Sequence, residues 1–108
     1  MNELFDAQVN QLKEAHFLVL SWVARAEDKD TCYNITNCFD DLKHHGITRT
    51  KQNAVAIVEA LQSLCFVALR EEGNRKNLYI TNFGAKALEK LVLRRIFTSK
   101  PSAFLEGP

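Results

Sequence analysis

In the second half of the chain the spacing of apolar residues changes twice, and this change most restricts the possible folds. From Thr50, a suitable helix N-cap, to about Leu64 the apolar residues follow a helical spacing. Two short segments rich in branched and aromatic residues come next, at 66–70 and 77–81, with a polar turn between them. Helical spacing returns at Phe83. The sequence therefore predicts a helix, a β-hairpin and a second helix in direct succession.

A long first helix is predicted over residues 2–27, because apolar residues recur at helical spacing and no glycine or proline interrupts them. Within it, residues 16–23 leave little polar surface. A helix that is apolar nearly all round is buried on more than one side, and so short a chain has a modest core. We therefore expect a second copy to cover part of this helix and of the last one. The predicted dimer interface comprises Leu4, Phe5, Phe17, Leu20, Leu91, Val92 and Ile96.

Two further helices complete the predicted order. One covers residues 34–44 and ends before Gly46, since glycine suits the left-handed residue that follows a helix. The other covers residues 83–97, with Asn82 as its N-cap. The predicted fold class is therefore mainly α with a small β-hairpin (α+β).

The chain of 108 residues has the size of one ordinary domain. We expect that domain at residues 1–97 and a C-terminal tail at 98–108, in which Pro101 and Gly107 mark a loose segment. No apolar run approaches the roughly 20 residues that span a bilayer. The three cysteines do not form a disulfide framework. These features predict a cytoplasmic protein with reduced thiols and no membrane partner.

The order helix, helix, short connector, helix, hairpin, helix is the winged-helix plan. Residues 60–67 look like the end of a recognition helix that runs into the first wing strand. Residues 78–88 carry a strand, then Thr81, two residues, Gly84, and an apolar residue four positions on at Leu88. This pattern is similar to that of the MarR-like and related winged-helix regulators. The resemblance departs at Cys65, where many relatives have glycine.

The resemblance implies a sequence-specific regulator of transcription that binds double-stranded DNA as a homodimer. It places a recognition helix, about 50–64, in the major groove and a wing, about 66–81, on the backbone or minor groove. Glutamine and asparagine can pair bidentately with adenine, and alanine can touch a thymine methyl. The implied DNA-binding residues are Arg49, Thr50, Lys51, Gln52, Asn53, Ala56, Arg75 and Lys76.

The chain has 14 basic and 13 acidic residues and a net charge of +1, so any affinity for DNA must come from local clusters of basic residues. The wing also carries two acids, Glu71 and Glu72. The same residues therefore also fit a solvated helix start and an ordinary polar turn. The alternative function is a winged-helix module that binds a protein partner and no DNA. In a ligand-gated variant of the regulator, the apolar residues 17–23 line a small pocket between two copies.

The sequence argues against an enzyme. It has no Ser/His/Asp order, no glycine-rich phosphate loop and no HExxH motif. Adjacent acids such as Asp40 and Asp41 do not face each other on a helix, so they form no acid–base pair. The spacing of Cys32, Cys38 and His44 fits no standard zinc pattern. We therefore predict no metal and no cofactor.

Overall fold

The computed structural model describes residues 3–106, and within them it has six helices and one two-stranded antiparallel sheet. The predicted start at Asn2 and the tail residue Gly107 lie outside this range. In chain order the elements are α1 Glu3–Asn10, α2 Glu14–Asp28, α3 Ile35–His44, α4 Lys51–Ser63, β1 Val67–Glu72, β2 Arg75–Ile80, α5 Asn82–Arg94 and α6 Ala103–Glu106. None of the described helices is both long enough and apolar enough to cross a membrane.

The predicted long first helix is broken into α1 and α2. At the break, the Gln11 and Leu12 N–H groups donate to carbonyls only three residues back, and Lys13 is extended. The tighter turn allows Leu12 to enter the core. His16 then caps α2, because its Nδ1 accepts from the Lys13 N–H at 2.9 Å. Burial lowers the pKa of His16, with a smaller contribution from the Lys13 charge, which favours the neutral ring that this cap requires.

The apolar surface of α2 is covered by the chain itself. This helix packs against α3, α4, α5 and β2, and the ring of Phe17 lies 5.7 Å from that of Phe97. Phe17, Leu20 and Leu91 are buried within one chain. The prediction that a second copy covers these three side chains is therefore wrong. Of the other predicted interface residues, Leu4, Val92 and Ile96 are exposed, whereas Phe5 packs edge-on against Phe66.

Local capping explains where the later helices begin and end. Asn34 caps α3, accepting from the Asn37 N–H at 2.8 Å, and Thr50 caps α4 as predicted, accepting from the Asn53 N–H at 3.2 Å. For α5 the cap is Thr81 and not the predicted Asn82. The helix ends at Arg94 because the next residue is left-handed, so it stops short of the predicted end at 97.

The hairpin is longer than predicted, and its turn is shorter. Glu72 pairs with Arg75, so each strand extends two residues into the predicted turn and only Gly73 and Asn74 connect them. Gly73 has φ +66° at the first of these positions, where a two-residue hairpin turn needs glycine. Asn77 of the second strand also forms an isolated antiparallel bridge with Asn34. This hairpin is the predicted wing, and we use that name for residues 67–80.

Three elements meet at the Phe66 carbonyl, in what we call the strand–helix joint: Cys65, Phe66, Thr81 and Gly84. The Thr81 N–H donates to the Phe66 carbonyl at 3.2 Å. The Thr81 hydroxyl donates to the Cys65 carbonyl and accepts from the Gly84 N–H. A Cβ at Gly84 would lie 1.9 Å from the Phe66 oxygen. The Thr-x2-Gly pattern thus locks the end of α4 and the start of the wing to α5.

Cys65 occupies the left-handed position after α4, with φ +64°. Its N–H donates to the Gln62 carbonyl, and the Phe66 N–H donates to the Leu61 carbonyl, both at 2.9 Å. This pair of bonds is the Schellman ending of a helix, which favours glycine. A position that favours glycine is therefore occupied here by a residue whose Cβ makes the left-handed backbone conformation strained.

Replacing Cys65 by glycine is expected to raise the free energy of unfolding by about 0.5–1 kcal/mol. The left-handed conformation costs about 1–2 kcal/mol for a residue with a Cβ, and the freer unfolded state of glycine offsets part of that gain. Urea denaturation followed by circular dichroism measures the difference. Cys65→Ala removes the thiol but keeps the Cβ, so a gain of equal size in that variant would contradict this explanation.

The described part of the predicted loose tail is docked on the body. The Trp22 Nε1–H donates to the Lys100 carbonyl at 2.7 Å. The fully buried Asp41 carboxylate accepts from the Tyr33 hydroxyl at 2.6 Å, from the Ser102 hydroxyl, and from the Phe104 N–H at 3.0 Å. Burial raises the pKa of Tyr33 well above its usual value. These bonds attach residues 100–106 to α2 and α3.

Candidate nucleic-acid interface

One face of α4 is free of the core. Ala54, Val58 and Leu61 are buried, because their spacing places them on the side that meets α2 and α3. On the opposite side four exposed residues, spaced four, three and four apart, form a continuous line along the helix, which we call the exposed stripe: Gln52, Ala56, Glu59 and Ser63. A polar stripe of this kind is what a recognition helix presents to a major groove.

All eight predicted DNA-binding residues have exposed side chains, but they do not lie on one face. Gln52 and Ala56 belong to the exposed stripe. Asn53 lies about 100° further around α4, on the side away from the wing. The Thr50 hydroxyl is engaged as the helix cap. Lys51 lies on the wing side, where its Nζ donates to the Thr36 hydroxyl at 3.2 Å.

A groove of about 390 Å³ separates the wing side of α4 from the wing. Its cations are Lys51 from the helix and Arg75 and Lys76 from the wing. Glu59 and Gln62 line the same groove, together with the apolar Val55, Val58 and Leu69. The structure thus gathers three of the predicted cations at one place. Glu59 and Gln62 were missed as site residues, although their helical spacing from Val55 was visible in the sequence.

The two acids of the wing differ in their environment. Glu72 accepts from the Tyr79 hydroxyl at 2.5 Å and from the Asn77 Nδ2 at 2.7 Å. These bonds lower the pKa of Glu72, with a smaller contribution from the Arg70 charge. The Arg70 guanidinium lies 4.8 Å from the Tyr79 ring centre on the same face. Glu72 therefore belongs to a network within the wing, whereas Glu71 lies across the ladder from Lys76.

A separate apolar patch lies at the end of α5. Val92 is 54% exposed, Leu93 is 73% exposed, and Ile96, just beyond the helix, is 65% exposed. Leu93 was not among the predicted interface residues. Val92 and Leu93 also line a groove between α2 and α5, together with Ala24, Leu88 and other residues. Exposed apolar residues clustered in this way indicate a contact surface.

The remaining candidate residues comprise buried or stacked side chains and one exposed cysteine. Cys38 is buried, which raises the pKa of its thiol to about 12 with a smaller contribution from Asp41, while Cys32 is exposed. The His45 ring stacks on Trp22. Among residues 3–106, no three His, Cys, Asp or Glu side chains are grouped so that they could hold a metal ion. The apolar side chains predicted to line a ligand pocket, residues 17–20, 22 and 23, are buried in the core.

Comparison with known proteins supports the fold. No protein-family model matches the chain, and no curated protein matches its sequence. The structure is similar to that of TubR from Bacillus megaterium pBM400, with a TM-score of 0.71 and 17% sequence identity, over 84% of this chain and 98% of that one. Together with the order of helices and hairpin, this likeness confirms the predicted α+β winged-helix fold.

Proposed function

We propose that this chain is a MarR-like, sequence-specific regulator of transcription that binds double-stranded DNA as a homodimer in the cytoplasm and has no enzymatic activity. In this proposal α4 enters the major groove and the wing contacts the backbone or the minor groove. The observation that carries it is the groove between them. There Lys51, Arg75 and Lys76 lie together beside the exposed stripe of α4.

A near-neutral chain can bind DNA if its cations lie where the phosphates pass. Arg49 is exposed just before Thr50, the N-cap of α4, and it adds to the three cations of the groove. The wing acid Glu72 is held by Tyr79 and Asn77. Four exposed cations therefore lie at the proposed phosphate contacts, although the whole chain has a net charge of only +1.

The proposed dimer forms through the apolar patch at the end of α5, where Val92, Leu93 and Ile96 are exposed. A two-fold axis makes such a patch meet itself. In the proposed dimer the two copies of α4 lie about one DNA turn apart, roughly 34 Å, because half-site recognition requires this spacing. The buried Phe17, Leu20 and Leu91 have no part in this interface.

Selection of bound sequences from random duplex DNA, combined with light scattering, tests the proposal. We expect an enriched palindrome and twice the mass of one chain. The acids of the wing and the near-zero net charge favour the alternative module that binds a protein partner. Immediate elution from both heparin and random duplex DNA at low salt would support that module and reject DNA binding.

Replacing both Arg75 and Lys76 by alanine is expected to weaken binding to every DNA sequence. If each cation neutralises one phosphate, the slope of log K against log salt should become shallower by about 1.8, since each contact contributes about 0.9. Fluorescence anisotropy at several salt concentrations measures this slope. As a matched control, Lys86→Ala with Arg95→Ala removes the same charge from exposed positions in and just after α5. An equal change in both double variants would contradict a wing contact.

A further inference from the structure

We infer that Glu59 reads a cytosine in each half-site and thereby sets the base preference where α4 lies beside the wing. This inference rests on the proposed DNA binding and deepens it. No other acid lies on the exposed stripe, which Glu59 shares with Gln52, Ala56 and Ser63. It also lines the groove between α4 and the wing. The side chain thus lies on the surface that would face the base edges.

The Glu59 carboxylate has no hydrogen-bond or ion-pair partner within the described residues. Over residues 3–106, no side chain or backbone N–H forms a hydrogen bond or ion pair with it. The nearby Ser63 hydroxyl donates instead to the Glu59 main-chain carbonyl, at 2.8 Å. The carboxylate therefore remains an exposed acceptor, available to a donor on a bound molecule.

In a DNA major groove few groups can satisfy a carboxylate. Phosphate oxygens, guanine O6 and N7, and thymine O4 are all acceptors and repel it. Adenine has an amino group, but its N7 acceptor lies beside it and opposes the second carboxylate oxygen. Cytosine presents the N4 amino group alone, which is the donor that glutamate accepts from. An acid on the exposed stripe therefore favours cytosine over the other bases.

The groove cations make this arrangement compatible with binding. Lys51 lies on the helix side of the groove, and Arg75 and Lys76 lie on the wing side. When these cations contact phosphates, they offset the repulsion that Glu59 alone would cause. The carboxylate then contributes little to overall affinity and much to the difference between correct and incorrect bases.

Selections from random duplex DNA with the wild-type protein, Glu59→Ala and Glu59→Gln test the inference, with Glu71→Gln as the control. Glu71 is an exposed acid on the wing, so its replacement removes the same charge without changing the stripe. We expect a cytosine at one position of each wild-type half-site, preferred by about tenfold. This preference should disappear in Glu59→Ala and shift toward adenine in Glu59→Gln. Glu71→Gln should keep it.

The possible failures are distinguishable. If Glu59→Gln and Glu71→Gln raise affinity equally and leave every base preference unchanged, Glu59 acts only through its charge and the inference is overturned while DNA binding stands. If the wild-type protein enriches a site without a Glu59-dependent cytosine, the inference is likewise overturned. If the wild-type protein retains no duplex DNA, the proposed function fails, and the inference fails with it.

Discussion

Replacing Gly84 by alanine is expected to lower the free energy of unfolding by about 3 kcal/mol, near the upper end of what overpacking costs. The new Cβ would lie 1.9 Å from the Phe66 oxygen and 2.8 Å from its carbonyl carbon. Both are backbone atoms, which cannot rotate away as a side chain can. Relief therefore requires α5 to move from the start of the wing, with loss of the bonds that Thr81 forms there.

Urea denaturation measures this loss, and Ala85→Gly provides the control. Ala85 is the next residue of α5 and is exposed, so its replacement by glycine should cost only about 0.5–1 kcal/mol of helix propensity. Alanine has the higher helix propensity of the two residues. A Gly84→Ala variant as stable as the wild type would therefore show that the joint does not need a glycine.

Replacing Asp41 by alanine is also expected to cost about 3 kcal/mol. The change leaves the buried Tyr33 hydroxyl, the Ser102 hydroxyl and the Phe104 N–H without their acceptor. Hydrogen bonds to a charged group contribute about 1.5–3 kcal/mol each, and a buried group left unpaired adds its desolvation cost. Part of this loss is recovered because residues 102–106 can detach and reach water.

Two measurements test this expectation. Urea denaturation gives the change in stability, and limited proteolysis reports whether residues 98–106 have become accessible. Asp40→Ala removes the same charge from the neighbouring exposed position and should change the stability by less than about 0.5 kcal/mol. If the two variants resist proteolysis equally well, Asp41 does not hold the segment.

Local patterns were sufficient to predict much of the fold. The change from helical to strand spacing located α4, the wing and α5, because each of these elements buries a regular set of its own residues. The Thr50 cap was also visible, since it acts within one turn of chain. Patterns within one helix, strand or turn can be recognised in the sequence because local preferences agree with the final fold.

What the sequence did not reveal depends on contacts between distant residues. Ser102 and Asp41 are 61 residues apart, so nothing near the C-terminal segment indicated that it would dock. The break before α2 has no glycine or proline, and at this break Leu12 is buried in the core. The apolar excess of residues 16–23 was assigned to a second copy because no local pattern indicates that α3, α4, α5 and β2 of the same chain surround α2.

For the candidate site, the residue types predicted correctly which side chains are exposed, but they did not predict which of them lie together. Polar residues at a helix start and a hairpin tip are exposed in most folds, and all eight predicted residues are exposed here. Their relative positions depend on the angle between the wing and α4, which no local pattern encodes. This is why Glu59 was not recognised as a groove residue, whereas the separation of Asn53 from Gln52 around α4 follows from helical spacing alone.

The strand–helix joint also affects which spacing between DNA half-sites the proposed dimer would accept. The Phe66 carbonyl connects the end of α4 to α5, and α5 ends at the apolar patch. In the proposed dimer each copy of α4 is thus held in a fixed position relative to the apolar patch by a few hydrogen bonds and one close backbone contact. The distance between the two copies of α4 is therefore fixed, and the dimer has little freedom to adjust to half-sites at other separations.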